Sequence, residues 1–159
     1  MSLGAALQGA PATETKHLTV TTSSAAAASP GTRVSLIIDV TPKPTMHVYA
    51  PGQKEYIPVS LAIQADPAIK TSAARFPAPE KVRLEALGGT QLVYSKPFRI
   101  VQDVTLTQAT FDRARAGGAT IAVKGTLRYQ ACDDTICYVP VDVPVAWAIA
   151  LKPAAGVTP

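Results

Sequence analysis

Residues 121–151 read IAVKGTLRYQACDDTICYVPVDVPVAWAIAL and contain both cysteines of the chain. On each side of the cysteine pair, apolar side chains alternate with small or polar ones. The apolar series is Ile121, Val123, Leu127 and Tyr129 before the pair, and Val141, Val143, Val145, Trp147, Ile149 and Leu151 after it. Such strict alternation is typical of antiparallel strands that bury one face. The stretch therefore predicts two strands with the cysteines at the hairpin tip between them.

Shorter segments of the same kind occur along the rest of the chain, separated by proline and glycine. They are 18–22, 33–41, 47–50, 57–64, 82–87 and 98–107. Only 110–116 is suited to a turn or two of helix. Many short strands in a chain of 159 residues predict a single all-β domain, an immunoglobulin-like antiparallel β-sandwich. We expect this domain to span 16–153, with a flexible tail at 1–15 and another at 154–159.

Trp147 lies after both cysteines, whereas antibody-type domains place a tryptophan between the two cysteines of their inter-sheet bridge. A Cys132–Cys137 bridge is therefore not that bridge, and we expect Trp147 to be a core residue.

Charge and hydropathy argue against a nucleic-acid-binding surface and against a membrane-spanning helix. The net charge is +4, but the basic residues are scattered and the densest groups, 81–83 and 113–115, lack interleaved aromatics. A nucleic-acid surface would need a clustered stripe of cations, so we expect no nucleic acid partner. No apolar run reaches the about 20 residues of a membrane-spanning helix, because Asp142 and Pro144 interrupt the longest candidate.

Cys132 and Cys137 allow three interpretations from their spacing. The first is a redox-active dithiol that exchanges electrons with other thiols, since a nearby second thiol resolves a mixed disulfide quickly. The second is a structural staple, although closing so small a ring contributes only about 2 kcal/mol. The third, a metal site, is weak, because a closed zinc site needs four ligands and the chain has one cysteine pair. Residue spacing leaves the first two open.

Asp133 and Asp134 lie between the cysteines. Adjacent carboxylates disfavour a thiolate and raise the pKa of a thiol. We therefore expect the pair to react slowly with random thiols and mainly with a docked partner. Aspartate is also a common turn residue, which is the alternative interpretation of the same two positions.

Several motifs resemble the periplasmic amino-terminal domain of the thiol–disulfide transporter DsbD. The most specific are YQAC at 129–132 and CYVP at 137–140; weaker ones are HVYAP at 47–51, IPVSL at 57–61 and FPAPE at 76–80. The resemblance covers about 16–152, and it implies an immunoglobulin-like fold that exchanges thiols and disulfides in the periplasm.

The resemblance also implies roles and partners. Cys137 would be the exchanging sulfur and Cys132 its resolving partner. Electrons would come from a thioredoxin-like donor domain and pass to periplasmic thioredoxin-fold disulfide proteins, such as disulfide isomerases or cytochrome c maturation thioredoxins. The expected activity is of the protein-disulfide reductase type, without a cofactor or metal. We expect a monomer, and a membrane domain outside this chain could tether it.

The family covers its disulfide with an aromatic side chain on a cap loop, which matches about 88–95 here. The capping position holds Val93, preceded by Gln91 and Leu92 and followed by Tyr94, and the paired glycines 88–89 would suit a hinge. Tyr49 matches one of two tyrosines near the family's pair, while His47 occupies the place of the other.

Tyr138 would complete the apolar surround of the pair, together with Tyr49 and the cap segment. The rival to an exchange domain is a non-catalytic immunoglobulin-like binding or assembly module, in which the hairpin disulfide is only structural.

Overall fold

The computed structural model describes residues 8–9, 11–25, 31–87, 89–117 and 120–151. Within these ranges the chain forms thirteen strands, one α-helix and one 3₁₀ helix at Glu85–Leu87. The helix α1 is Gln108–Gly117. The strands are β1 (Gln8–Gly9), β2 (Thr13–Glu14), β3 (Leu18–Ser24), β4 (Arg33–Pro42), β5 (His47–Tyr49), β6 (Ser60–Ile63), β7 (Ile69–Thr71), β8 (Glu80–Leu84), β9 (Gly89–Tyr94), β10 (Phe98–Leu106), β11 (Thr120–Tyr129), β12 (Ala131–Cys132) and β13 (Val141–Ala150).

The strands form three antiparallel sheets. The largest has the order β1-β3-β4-β10-β7, with β2 also paired to β3. A three-stranded sheet has the order β13-β11-β6, and a four-stranded sheet has the order β12-β5-β9-β8. The architecture is an immunoglobulin-like β-sandwich, as the sequence predicts.

One apolar core draws on all three sheets. The alternation read from 121–151 holds residue by residue: the odd-numbered apolar side chains of β11 and of β13 from Val143 onward are buried, and the even-numbered ones face outward. Trp147 lies in this core, as predicted, and its indole N–H donates to the carbonyl of Ile37 on β4 at 3.1 Å. This bond joins the two layers of the sandwich.

Some element boundaries differ from those predicted. The strand expected over 57–64 is only Ser60–Ile63, and Ile57 is exposed rather than part of a buried row. The strand expected over 82–87 ends at Leu84, where the 3₁₀ helix follows. The predicted helix 110–116 lies within α1.

The two ends of the chain are described only in part. The sequence predicts a flexible tail over 1–15, whereas the structure pairs Gln8–Gly9 and Thr13–Glu14 with β3. The tail predicted over 154–159 lies outside the described residues. No helix in the described part of the chain is long and apolar enough to cross a membrane.

Candidate functional site

The four-stranded sheet carries the cysteine pair, and its two faces have different surroundings. Cys132 pairs with His47, and Tyr49 pairs with Val93. Directly opposed residues of an antiparallel ladder share a face, so these four side chains project from the same side of the sheet. The alternate residues, among them Ala131, Val48 and Tyr94, belong to the main core on the other side.

Cys132 and Cys137 form a disulfide with a Cα–Cα distance of 4.1 Å. Cys132 belongs to β12 and is 0% exposed, packed in a small cluster with Tyr49 and Val93. Cys137 lies beyond the tip turn, is only half-buried, and packs against this cluster from outside. The two cysteines therefore differ in solvent exposure.

Asp133 holds the turn between the cysteines. Its Oδ1 accepts hydrogen bonds from the backbone N–H groups of Thr135 and Ile136 at 2.8 and 2.7 Å, and its Oδ2 accepts one from the Tyr138 hydroxyl at 3.1 Å. The two backbone bonds do most to lower the pKa of Asp133, to about 2. The interpretation of this aspartate as a turn residue therefore fits its geometry. Asp134 is exposed at the same tip.

Tyr49 contacts both sulfurs. Its hydroxyl oxygen lies 3.3 Å from Sγ of Cys132 and 3.3 Å from Sγ of Cys137, and the residue is 0% exposed. Burial, followed by the neighbouring Tyr56 and Glu55, raises the pKa of Tyr49 to about 12. The phenol therefore keeps its proton at neutral pH and offers it to the sulfurs as a hydrogen bond.

Tyr56 covers Tyr49, which the sequence analysis did not predict. The two rings are stacked, with centroids 4.6 Å apart and planes within 5°, and Tyr56 packs on the same small cluster as Cys137. The turn before Tyr56 is fixed by Gln53, whose amide donates to Gln91 at 2.7 Å and accepts from the Leu92 N–H at 2.8 Å. The available signal was an aromatic residue soon after a Pro-Gly turn that follows the Tyr49 strand.

The segment predicted as a cap loop is a strand. Gly89–Tyr94 pairs with β8 on one side and, through Val93 and Tyr94, with β5 on the other. Backbone hydrogen bonds on both sides are inconsistent with a free loop, so the expectation of a loop at 88–95 is wrong for this part. Gly88, half of the proposed hinge, lies outside the described residues.

The predicted cap residues lie on different sides of that strand. Val93 is in the cluster around Cys132, and Gln91 is buried on the same face beside Gln53. Tyr94 faces the main core, where it stacks on Phe98 with ring centroids 4.2 Å apart. Its neighbour Leu92 packs against the same core.

Tyr138 lies outside the cluster around Cys132. Its ring packs against His17 at 4.8 Å and lies beneath the ammonium group of Lys16 at 5.4 Å, while its hydroxyl donates to Asp133. Tyr138 therefore supports the tip turn through Asp133.

His47 joins the cluster side of the sheet opposite Cys132. It is 5% exposed, and its ring meets the Tyr49 ring edge-on with centroids 5.8 Å apart. Burial lowers its pKa, against the opposing effects of Asp134, Asp133 and Glu80. Among the described residues, no three His, Cys, Asp or Glu side chains are grouped so as to hold a metal ion.

The geometry at this sheet tip is a disulfide between one fully buried and one half-buried cysteine. The family model for the N-terminal part of thiol:disulfide interchange protein DsbD matches residues 15–146. The chain belongs to this family. It is a thiol–disulfide interchange domain of the DsbD N-terminal type, and Cys132 and Cys137 are its cysteine pair.

Two solved structures are similar to this DsbD-type domain. The N-terminal periplasmic domain of ScsB from Proteus mirabilis has a TM-score of 0.58 at 13% identity, over 95% of this chain and 55% of that chain. This chain thus spans about half of the ScsB structure, and the likeness concerns the fold. The Neisseria meningitidis DsbD N-terminal domain in the reduced form has a TM-score of 0.49 at 17% identity, over 81% and 85% of the two chains. No curated protein sequence matches the chain.

Proposed function

We propose that this domain is an electron relay of the protein-disulfide reductase type in the periplasm. Its Cys132–Cys137 pair is reduced by a thioredoxin-like donor domain and then reduces thioredoxin-fold disulfide proteins. The pair itself carries the two electrons, so the reaction needs no diffusible cofactor. Family membership supports the chemistry, and a membrane domain outside this chain that tethers the relay domain is part of the same proposal.

The observation that carries the proposal is the unequal exposure of the two cysteines. Cys132 is 0% exposed, whereas Cys137 is half-buried. Thiol–disulfide exchange requires a nucleophilic sulfur to approach the attacked sulfur directly. Cys137 is therefore the sulfur that bonds to the partner, and Cys132 is the one that resolves the bond.

The relay then runs in two balanced steps. The Cys137 thiolate attacks the acceptor disulfide, which gives a mixed disulfide and one acceptor thiolate. The Cys132 thiolate attacks Sγ of Cys137, which restores the intramolecular disulfide and releases the second acceptor thiolate. The pair loses two electrons and the acceptor gains them. Reduction by the donor is the reverse sequence, beginning with attack on Cys137.

The surface around Cys137 suits a protein partner. Among the described residues, the large apolar side chains that are exposed are Ile57, Ile136 and Val139, at 37%, 55% and 81%. Ile136 and Val139 flank Cys137 in the chain. Ile57 is linked to the same tip, because its N–H donates to the side chain of Gln130, which in turn donates to the carbonyl of Tyr138. Exposed apolar side chains on the segments next to a reactive cysteine favour a transient protein interface.

A trapping experiment tests both the relay and the roles of the cysteines. A Cys132→Ser variant, reduced and mixed with an oxidised thioredoxin-fold protein, should accumulate a covalent complex through Cys137, because the resolving thiol is absent. The matched Cys137→Ser variant should trap little, since its remaining thiol is buried. Non-reducing electrophoresis and peptide mass spectrometry identify the bond. A complex that forms only through Cys132 reverses the two roles.

The rival function, a binding or assembly module with a structural disulfide, predicts a different result. The wild-type disulfide would then stay protected from alkylation after incubation with a reduced thioredoxin-fold protein. Rapid labelling of both thiols supports the relay. Persistent protection in the folded protein rejects it.

A further inference from the structure

His47 is a buried titratable side chain that the relay described above leaves unused. It lies directly opposite Cys132 in the β5–β12 ladder and is 5% exposed. Its Nε2 is buried without a hydrogen-bond partner. Buried polar atoms are nearly always paired, and one that is not calls for an explanation. A hydrogen-bond partner that exists only in the dithiol form would explain the unpaired nitrogen.

We propose that, in the reduced domain, Nε2 of His47 accepts the proton of the Cys132 thiol and so produces the thiolate that resolves the mixed disulfide. This inference rests on the proposed relay. In the disulfide form Cys132 carries no proton, which leaves the nitrogen unpaired. In the dithiol form the thiol is a donor on the same face of the ladder, where opposed Cβ atoms are about 5 Å apart.

The resolving step balances with His47 included. The Cys132 thiol gives its proton to the imidazole, and the thiolate attacks Sγ of Cys137. The bond between Cys137 and the partner breaks, and the partner leaves as a thiolate. The imidazolium then returns its proton to solvent or to that thiolate. Two electrons pass from the pair to the partner, and His47 ends neutral.

Cys132 needs such a proton acceptor because it is shielded from water. Cys132 is 0% exposed, and burial in apolar surroundings disfavours a thiolate because the charged sulfur loses its solvation. Tyr49 contacts the sulfur but keeps its own proton, because its pKa is raised to about 12. Asp133 is already bonded to the backbone of the tip. Among the described residues of this face, His47 is a basic group with an unpaired ring nitrogen.

The charges around His47 suit the task. Asp133 and Asp134 face it from the loop after β12, and Glu80 faces it from β8, where Lys96 is 4.0 Å from that carboxylate. Tyr49 is its aromatic neighbour on β5. Burial favours the neutral imidazole, which is the form that accepts a proton. The three carboxylates stabilise the imidazolium that forms during the step.

The two steps can be timed separately with a small disulfide, without a protein partner. Reduced wild-type domain is mixed with excess dithiodipyridine, and released thiopyridone is followed by stopped-flow absorbance. The first release reports attack by Cys137 and depends on reagent concentration. The second release reports resolution by Cys132 and is independent of reagent concentration. Both rates are measured between about pH 6 and pH 9, which brackets the ordinary pKa values of histidine and cysteine.

A His47→Phe variant keeps the ring against Tyr49 and removes the nitrogens. We expect its second phase to slow by about tenfold or more near pH 7, a modest share of what general base catalysis contributes in enzymes. The first phase should stay within about twofold of wild type. The deficit should shrink towards pH 9, because hydroxide then deprotonates Cys132 without help. A purely structural defect would not disappear with pH.

His17→Phe is the matched control. His17 is the other histidine of the chain, is also 5% exposed and also has an unpaired Nε2, but packs against Tyr129 and Tyr138. Its second phase should equal that of wild type at every pH. A His47→Gln variant, which can hydrogen-bond but has no basic group, should resemble His47→Phe.

Three results distinguish a failure of the role proposed for His47 from a failure of the relay itself. Equal second phases in wild type and both His47 variants overturn the role of His47 and leave the relay intact. If the variants do not fold, the pH dependence of the wild-type second phase decides instead. A rate that follows only the deprotonation of the thiol, with no plateau at lower pH from a histidine, also overturns the role of His47. A wild-type domain that gives no second release rejects the relay itself.

Discussion

At the scale of single residues, Tyr49 is the side chain that couples the two sulfurs to the sheet. Its hydroxyl is 3.3 Å from each sulfur, inside a cluster from which water is excluded. A phenol that keeps its proton can stabilise a leaving thiolate by donating a hydrogen bond to it. The same hydrogen bond is too weak to prevent reduction of the disulfide, because a disulfide sulfur is a weak acceptor.

Replacing Tyr49 by phenylalanine tests this assignment. The Tyr49→Phe ring can still stack on Tyr56, but the departing thiolate loses its donor. One hydrogen bond is worth about 1 kcal/mol, so reduction of the disulfide by dithiothreitol should slow by about fivefold at neutral pH. Stopped-flow kinetics of thiol release measure the change.

Tyr94→Phe is the matched control for that experiment, since it also deletes a tyrosine hydroxyl, but one on the core face of the sheet. The Tyr94 hydroxyl donates to the carbonyl of Pro77 at 2.6 Å, which is unrelated to the disulfide. This variant should lose some thermal stability and keep the wild-type rate. Equal slowing in both variants would show that the Tyr49 hydroxyl has no specific effect on the sulfurs.

At the scale of elements, the cluster that includes Val93 is also covered by the turn that carries Tyr56. The side chain of Gln53 connects this turn to β9 through Gln91 and Leu92. Gly52 has φ of +99°, a conformation that glycine adopts without strain. A short turn outside the paired strands opens more easily than a strand paired on both sides.

We therefore expect Tyr56→Ala to expose the pair. Stacking of two aromatic rings contributes about 0.5–1.5 kcal/mol beyond burial, so losing it should raise the rate of reduction by a small thiol about two- to tenfold. Tyr56→Phe keeps a stacked ring and should stay close to wild type. The same dithiothreitol assay measures both. A Tyr56→Ala variant that is no faster than Tyr56→Phe would mean that the ring does not limit access.

The difference between β11 and the cap segment explains how much could be predicted from the sequence. The alternation in β11 predicts its strand and its buried face, because burial on one side repeats every second residue. Family resemblance identifies the cysteine pair and Tyr49. The strand Gly89–Tyr94 was missed because its pairing with β5 and β8 is a long-range property. Tyr56 belongs to no periodic element, and contacts distant in the chain place it.

At the scale of the whole molecule, the described part of the sandwich contains two separate apolar clusters. The main core includes Ile38 and Ile100 on neighbouring strands of the six-stranded sheet. The small cluster consists of Tyr49, Val93 and Cys132 on the opposite face of the four-stranded sheet. A disulfide on a face of its own can open without disturbing the packing that keeps the domain folded. Stability and exchange chemistry should therefore respond to different substitutions.

Ile38→Ala and Val93→Ala test this separation. Ile38 is 0% exposed at the centre of β4, and its truncation should lower the free energy of unfolding by about 2–5 kcal/mol. The exchange rate, measured well below the melting temperature, should stay within about twofold of wild type. Val93 belongs to the cluster around Cys132. Its truncation should therefore lower the free energy of unfolding less than Ile38→Ala does, but change the exchange rate more. Urea denaturation and dithiothreitol kinetics on the same samples give the two quantities. Parallel changes of rate and stability in both variants would show that the two clusters act as one.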